Sequence, residues 1–362
     1  MTDTSTDGPV SRDEVRASDY PFDRIPFDHA HCFLCGTLVD EEGSTREHVF
    51  PKWLQRKFDL WNQQLSLLNG TLIPYRQLTI PCCVDCNTGP LSQMEDEVRS
   101  GVEGGYHSWK GLSDLRLFQW AGKLMFGILF KEISLEHDRK ARTGDTILPP
   151  KSLDDFSTLH DLLQSIRVTT RFEGGPIFSV IALPLHRLDG LEFDFADSIV
   201  DNVVAIKMGN VGVIASLMDA GLANSFMEPI VKALDGTPLH PIQFDELLAN
   251  VVYAKQRMTR TVKFVFSATK GDPTSMMVVR LPLAGLSLKP VLRDFDPEEF
   301  RPILRRYLSR WGSVTESVWN RADGVGTTVF SRPGHLAVCN AAFDLIEERP
   351  YKKQDDTAQD QV

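Results

Sequence analysis

Five of the six cysteines of this 362-residue chain lie between residues 32 and 86. Four of them form two Cys-x-x-Cys pairs, Cys32 with Cys35 and Cys83 with Cys86. The N-terminus has neither a basic start nor an apolar stretch of the secretory kind, so we expect a cytoplasmic protein with reduced thiols. Paired Cys-x-x-Cys units in a reducing compartment are typical of a structural zinc site, in which four thiolates surround the metal tetrahedrally. The sequence therefore predicts one zinc ion here, with buried free thiols as the alternative.

Two cysteines stand apart from this pattern. Three residues separate Cys82 from Cys86, a spacing that zinc also tolerates, so Cys82 competes with Cys83 as a ligand. Cys339 is isolated in an apolar segment and is expected in the hydrophobic core.

The region between the two pairs is longer than an ordinary zinc-ribbon loop, since residues 36–82 separate Cys35 from Cys83. Residues 29–110 are rich in Gly and Pro and poor in periodic apolar faces, so a metal would supply much of their stability. Residues 111–346 are regular, and residues 1–28 and 347–362 are polar and aperiodic. We predict an α+β protein with a zinc-stabilised module at 29–110, a larger mixed α+β domain at 111–346, and disordered tails at 1–28 and 347–362.

The regular region has clear helix and strand signals. A nearly continuous apolar stretch predicts a buried helix over 115–133, and residues 242–257 and 296–311 have the helical period. Predicted strands are 176–184, 203–208 with 211–217 across Gly209-Asn210, and 261–268 with 276–283.

The charge of the chain limits its partners. The formal net charge is −10, which argues against a nucleic-acid coat over the whole surface but leaves room for nucleic acid at one basic site. The longest nearly apolar run, 124–130, is far too short to cross a bilayer, so no membrane association is expected.

A short polar motif lies between the two cysteine pairs. Glu47 directly precedes His48, at the end of a short predicted β-segment and before a helix that begins near Pro51. A carboxylate can hold a divalent cation while the adjacent neutral imidazole takes a proton from water. Asn87 directly follows the last cysteine.

Taken together, Cys-x-x-Cys, Glu-His-Val-x-Pro and Cys-x-x-Cys-Asn resemble the HNH endonucleases over residues 30–100. The resemblance implies a ββα-metal fold, in which a hairpin and a helix surround one catalytic cation. It implies that His48 is the general base and that Glu47 and Asn87 bind catalytic Mg²⁺ or Mn²⁺. The expected reaction is hydrolysis of phosphodiester bonds in DNA, with RNA not excluded, in a nuclease of bacterial defence or of a mobile element.

Two features depart from that family. The acidic residue is Glu rather than the commoner Asp, which is one methylene shorter. The middle Asn of the family has no certain counterpart, because Asn69 in Asn69-Gly70 has the pattern of a turn residue as well.

Basic residues are concentrated around His48. Arg46, Lys52, Arg56 and Lys57 are predicted to contact phosphates, with an ordinary solvated helix face as the alternative. Trp53 and Trp61 are expected in the core of the small module, and the acidic run 95–97 is expected to face solvent.

Each proposed role has a structural alternative. His48 could instead be a hydrogen-bonded structural histidine or a zinc ligand, and Asn87 could cap the following helix. The competing function is a non-catalytic zinc module that binds nucleic acid or protein. Residues 111–346 resemble nothing nameable and are expected to regulate, to target, or to bind a protein partner or a second copy.

Overall fold

The computed structural model describes residues 26–39, 44–138, 144–269, 272–283, 290–312, 319–320 and 325–351. Helices and strands both form a large part of these residues, so the predicted α+β class is confirmed. The main helices are α1 Lys52–Lys57, α2 Ser92–Glu103, α3 Gly105–Lys110, α4 Asp114–Glu132, α5 Ser157–Leu163, α6 Leu222–Leu234, α7 Pro241–Gln256 and α8 Pro297–Leu308. Shorter helical turns are Tyr75–Gln77, Val84–Cys86, Asn87–Leu91, Pro150–Phe156 and Gln164–Ile166.

The strands form several small sheets. They are β1 Ser44–His48, β2 Gln64–Ser66, β3 Leu72–Pro74, β4 Thr79–Cys83, β5 Thr169–Glu173, β6 Ser179–Pro184, β7 Phe193–Ser198, β8 Val203–Met208, β9 Val211–Ser216, β10 Phe264–Thr269, β11 Asp272–Arg280, β12 Trp319–Asn320, β13 Gly326–Thr327, β14 Phe330–Arg332, β15 His335–Cys339 and β16 Leu345–Pro350. The largest is antiparallel with the order β6-β9-β8-β7, and a second has the order β10-β11-β5. In that second sheet β11 is antiparallel to β10 and parallel to β5.

Near the N-terminus, β1 and β4 form an antiparallel pair, and the polypeptide between them carries α1 and the β2–β3 hairpin. The register places Ser44 opposite Cys83 and His48 opposite Thr79. Directly after β4 the chain turns through Val84–Cys86 and Asn87–Leu91 into α2. A strand pair followed by a helix therefore surrounds the second cysteine pair.

The predicted buried helix is α4, which begins where the Ser113 hydroxyl accepts a hydrogen bond from the Arg116 backbone N–H. Its apolar side chains are buried on nearly every face, including Trp120 and Phe126. One hydrophobic cluster joins these residues to the cysteine-rich region and to the four-stranded sheet. Phe50, for example, packs edge-on against Phe195 of β7 at a ring-centroid distance of 5.0 Å. The core thus runs without interruption across residue 110.

The other elements agree with the sequence patterns. The Gly209-Asn210 turn joins β8 and β9, and Gly209 has a φ of +63°, a conformation that favours glycine. The predicted helices at 242–257 and 296–311 are α7 and α8. The predicted strand at 176–184 is β6, and the second predicted hairpin is β10–β11. Cys339 is buried in β15, as expected of a core cysteine.

Both predicted tails extended too far into the folded chain. Residues 347–350 belong to β16, which pairs with β15 at the edge of a three-stranded sheet. Most residues of this strand are exposed, and it carries Glu347, Glu348 and Arg349. Its composition is therefore that of a polar tail. At the other end, the ring of Phe27 packs against Phe126 at a centroid distance of 5.8 Å. The rest of the predicted tails, 1–25 and 352–362, lies outside the described residues.

No helix among the described residues combines the length and the apolar character needed to cross a membrane.

Candidate functional site

The four predicted zinc ligands converge. The Sγ atoms of Cys32, Cys35, Cys83 and Cys86 all lie within 4.8 Å of one another. Four thiolates at this separation are compatible with a structural metal ion such as zinc. Cys82 is buried beside the cluster, with its Sγ atom 3.8 Å from that of Cys32, but the four-cysteine group contains Cys83 instead.

The electrostatics of the cluster point to a cation. Hydrogen bonds from the neighbouring Cys35, Cys82 and Cys86 thiols lower the pKa of Cys32 far below that of an ordinary thiol. Hydrogen bonding to Cys32 and Cys35, and then burial, raise the pKa of Cys86. Burial is the main cause that raises the pKa of Cys83 to about 11. The protein alone therefore stabilises the Cys32 thiolate and disfavours ionisation of Cys83 and Cys86, whereas a divalent cation would favour the thiolate form of its ligands.

Local geometry brings the two pairs together. The first pair lies in a tight turn that closes with a hydrogen bond from the Gly36 N–H to the Cys32 carbonyl, and Gly36 has a φ of +73°. The Phe33 N–H donates to the Pro81 carbonyl at 3.1 Å, which holds this turn against β4. From α5, the His160 ring lies with Nε2 at 2.9 Å from the Phe33 carbonyl, so Nε2–H donates there.

Glu47, a predicted ligand of the catalytic cation, is 6% exposed and forms an ion pair with Lys123 of α4. The Lys123 side chain is completely buried. Its Nζ atom also donates to the carbonyl oxygens of His48 at 2.7 Å and Val49 at 3.0 Å. Lys123 thus neutralises the carboxylate and fixes the end of β1.

The same lysine binds a second carboxylate that the sequence predicted to face solvent. Glu95 accepts a hydrogen bond from the Lys123 Nζ at 2.9 Å, and burial raises the pKa of Glu95 to about 7. Glu95 points inward because α2 packs against α4. Lys123 and Glu95 were both missed, although a lysine in the middle of an apolar helix was a signal that a buried acidic partner exists.

His48 is half-buried at the end of β1. Its Nδ1 atom lies 3.4 Å from the Nε2 atom of Gln55, which also donates to the Phe50 carbonyl at 2.7 Å. Burial, and then the positive charge of Lys52, lower the pKa of His48. The imidazole is therefore more fully neutral at physiological pH than a free histidine, as a general base requires.

Asn87 faces β1. Its side-chain Nδ2 donates to the Thr45 hydroxyl at 2.8 Å, and that hydroxyl donates to the Cys82 carbonyl. Because β1 side chains alternate, Thr45 and Glu47 lie on one face of the strand and Arg46 and His48 on the other. Among the described residues, no hydrogen bond joins Glu47, His48 and Asn87 to one another directly. The Asn87 side chain does not cap α2, whose first turn has no side-chain cap.

The basic residues around His48 are on the surface: Arg46, Lys52, Arg56 and Lys57 are all exposed. Trp53 is partly buried, but the expectation of a core position for Trp61 was wrong, because 39% of this residue is exposed. Asn69 is a turn residue, since its Oδ1 accepts a hydrogen bond from the Thr71 N–H.

Comparison with known proteins gives no further guide to this site. No family model, no curated protein and no solved structure matches the chain.

Proposed function

We propose that the protein is a metal-dependent HNH-type endonuclease that hydrolyses phosphodiester bonds in DNA, with RNA a second substrate to be tested. The observation that carries the proposal is the hydrogen bond from Asn87 to Thr45. It joins the residue after the last candidate zinc ligand to the strand that carries Glu47 and His48. A strand pair followed by a helix, with these three residues at its junctions, is the arrangement that the HNH resemblance implies.

The chemistry assigns His48 the role of general base. The amide orientation of Gln55 presents an N–H to Nδ1, so the neutral ring carries its lone pair at Nδ1 and its proton at Nε2. An attacking water would replace the Gln55 N–H, which is 3.4 Å from Nδ1, and give its proton to that lone pair while its oxygen attacks phosphorus and the 3′-oxygen leaves. Glu47 and Asn87 would hold Mg²⁺ or Mn²⁺, which neutralises charge on the phosphate and the leaving oxygen when bound.

The basic residues next to His48 complete the proposal. The exposed side chains of Lys52, Arg56 and Lys57 on α1, with Arg46 on β1, provide positive charge for phosphate contacts. The reduced thiols of the zinc cluster suit the cytoplasm, where we place the protein. We assign residues 111–346 a regulatory, targeting or partner-binding role.

One observation favours a second candidate function. The ion pair with Lys123 neutralises Glu47, so a cation must bind the remaining carboxylate oxygen or displace the lysine. In the second candidate, Glu47 and His48 are structural and the zinc module binds nucleic acid or protein without cleaving it.

Cleavage of plasmid DNA with Mg²⁺ or Mn²⁺ separates the two candidates. We expect His48→Ala to lower the cleavage rate by about 10²- to 10⁴-fold, the usual contribution of a general base. Zinc content, folding and DNA binding should remain close to wild type. His107→Ala, which removes an exposed histidine from α3, is the matched control and should cleave normally.

Two further measurements identify the roles. Glu47→Gln and Asn87→Ala should raise the Mg²⁺ concentration needed for half-maximal rate, because the first removes the negative charge of a cation ligand and the second removes a ligand. The rate of the wild type should fall on acidification through the His48 pKa, which lies below the ordinary histidine value. Full activity of His48→Ala would disprove the mechanism, and DNA binding without any cleavage by wild type would favour the non-catalytic module.

A further inference from the structure

We propose that Trp61 is a stacking platform for an unpaired nucleobase beside the phosphodiester bond that is hydrolysed with His48 as general base, so the preferred substrate is single-stranded or locally unpaired nucleic acid. The inference rests on the proposed function for the role of His48. Base stacking on Trp61 itself does not require cleavage, so the two can fail separately.

The first observation is the exposure of the indole. Trp61 is 39% exposed, whereas Trp109 and Trp120 are completely buried. The Trp61 and His48 ring centroids are 6.1 Å apart, and the two ring planes differ by 35°. A large aromatic surface is therefore open to solvent directly beside the candidate base.

The second observation is that the backbone at Trp61 is held firmly. The Leu60 N–H donates to the Gln55 carbonyl at 2.8 Å, and the Gln63 N–H donates to the Leu60 carbonyl at 2.9 Å. The guanidinium of Arg76 donates to the Trp61 carbonyl at 3.2 Å. The same hydrogen-bonded turn thus connects the Trp61 backbone to Gln55, the residue that contacts the His48 ring.

The third observation is the positive charge near His48 and near the Trp61 backbone. Lys52 is exposed and close enough to His48 to lower its pKa, and Arg56 is exposed on the same short helix. Arg76 hydrogen-bonds the neutral Trp61 carbonyl and the Asn62 side-chain oxygen, so its own positive charge remains uncompensated by these partners. Aromatic surface with adjacent positive charge is the combination that binds single-stranded nucleic acid.

The geometry of a nucleotide connects these groups. A base and its phosphate are separated by one sugar, so a base stacked on Trp61 leaves its phosphate close to His48 and Lys52. In the interior of a duplex both faces of each base are already stacked, so Trp61 can accept a base there only from an unpaired or extruded nucleotide.

The test uses the full chain in the His48→Ala background with Mg²⁺, so that bound oligonucleotide stays intact. Affinity for a short fluorescent oligothymidylate and for a duplex of equal length is measured by anisotropy. We expect Trp61→Ala to weaken single-strand binding about tenfold, the range measured for loss of one stacked base. Trp61→Phe should retain most of the affinity, and binding to the duplex should not change.

Leu72→Ala is the matched control. Leu72, like Trp61, is an exposed apolar residue, and it lies on β3. It should leave both affinities unchanged. Equal single-strand affinity for Trp61→Ala and its parent, or an equal loss for single strand and duplex, would overturn the inference.

If the wild type cleaves DNA and Trp61→Ala does not change the affinity for the single strand, the stacking platform is refuted and the nuclease proposal stands. Weakened single-strand binding in Trp61→Ala, with no cleavage by the wild type, would refute the nuclease and support the platform.

Discussion

At the scale of single residues, Lys123 determines the state of the candidate site. Its buried ammonium group binds Glu47 and Glu95 and two backbone carbonyls of the segment that leaves β1. Two carboxylates around one lysine keep the pKa of Lys123 above its usual value despite burial. Removal of the lysine would leave two carboxyl groups in a largely apolar environment without their cationic partner.

We therefore expect Lys123→Met to lower the free energy of unfolding by about 3–5 kcal/mol, the usual cost of breaking a buried ion pair from one side. The measurement is urea unfolding followed by circular dichroism. Lys110→Met, which changes an exposed lysine of α3, is the control and should have little effect. Adding Glu47→Gln and Glu95→Gln to Lys123→Met should restore part of the loss, and wild-type stability of Lys123→Met alone would contradict the argument.

At the scale of elements, the cysteine cluster connects the first turn, the end of β4 and the start of the helical segment. A metal held by the four thiolates would join these three elements directly, in addition to the apolar core that they share. The chain enters the cluster from β4 through Cys83 and leaves it at Cys86, directly before Asn87. A metal bound to Cys86 would therefore also hold Asn87 close to β1, where its side chain hydrogen-bonds Thr45.

We expect protein purified without chelators to contain about one zinc ion per chain, because four thiolates close one tetrahedral site. Elemental analysis of the purified protein measures this ratio. Cys86→Ser should lose zinc and lower the melting temperature. Cys82→Ala should keep its zinc, because Cys82 lies outside the four-cysteine group.

Cys339→Ala controls for destabilisation without metal loss, since Cys339 is buried in β15 far along the chain from the cluster. It should lower stability while retaining one zinc. Wild-type protein without zinc would refute the metal centre.

At the scale of the whole molecule, the cysteine-rich region is supported by helices that follow it in the chain. His160 of α5 donates to the Phe33 carbonyl in the first cysteine turn, and its ring contacts Phe27 at a centroid distance of 5.1 Å. Burial lowers the pKa of His160 to about 4. The folded protein therefore keeps this histidine neutral, whereas the unfolded chain protonates it near the ordinary value of about 6.5.

Between these two values the unfolded state binds the additional proton, so stability falls as the pH is lowered from about 7.5 towards 4. The His160 contribution to this loss should reach about 3 kcal/mol at the acidic end. His160→Gln keeps a side-chain N–H donor but does not titrate, so its stability should depend less steeply on pH.

Urea unfolding at a series of pH values measures the difference in slope. His107→Gln, at an exposed site, should retain the wild-type slope. Equal slopes for His160→Gln and wild type would show that the buried histidine does not couple to acid unfolding.

Local patterns in the sequence were enough to predict much of the fold. The apolar run that became α4, the Gly209-Asn210 hairpin and the period of α7 and α8 depend on neighbours within a few residues, which a sequence records directly. The two Cys-x-x-Cys pairs likewise predicted which four thiols would meet, because zinc chemistry restricts the ligand set. Strand β16 was missed since a polar edge strand has the composition of a tail.

The sequence by itself thus determined the α+β class, the principal helices and hairpins, and the composition of the cysteine cluster. Only the tertiary structure decided that Glu95 points inward, that Trp61 is partly exposed and that Lys123 forms an ion pair with Glu47. The physical reason is that each of these outcomes depends on packing between segments far apart in the chain. A charged or aromatic side chain has no local pattern that reveals which distant surface will cover it, and burial of a charge is favourable only once its partner is in place.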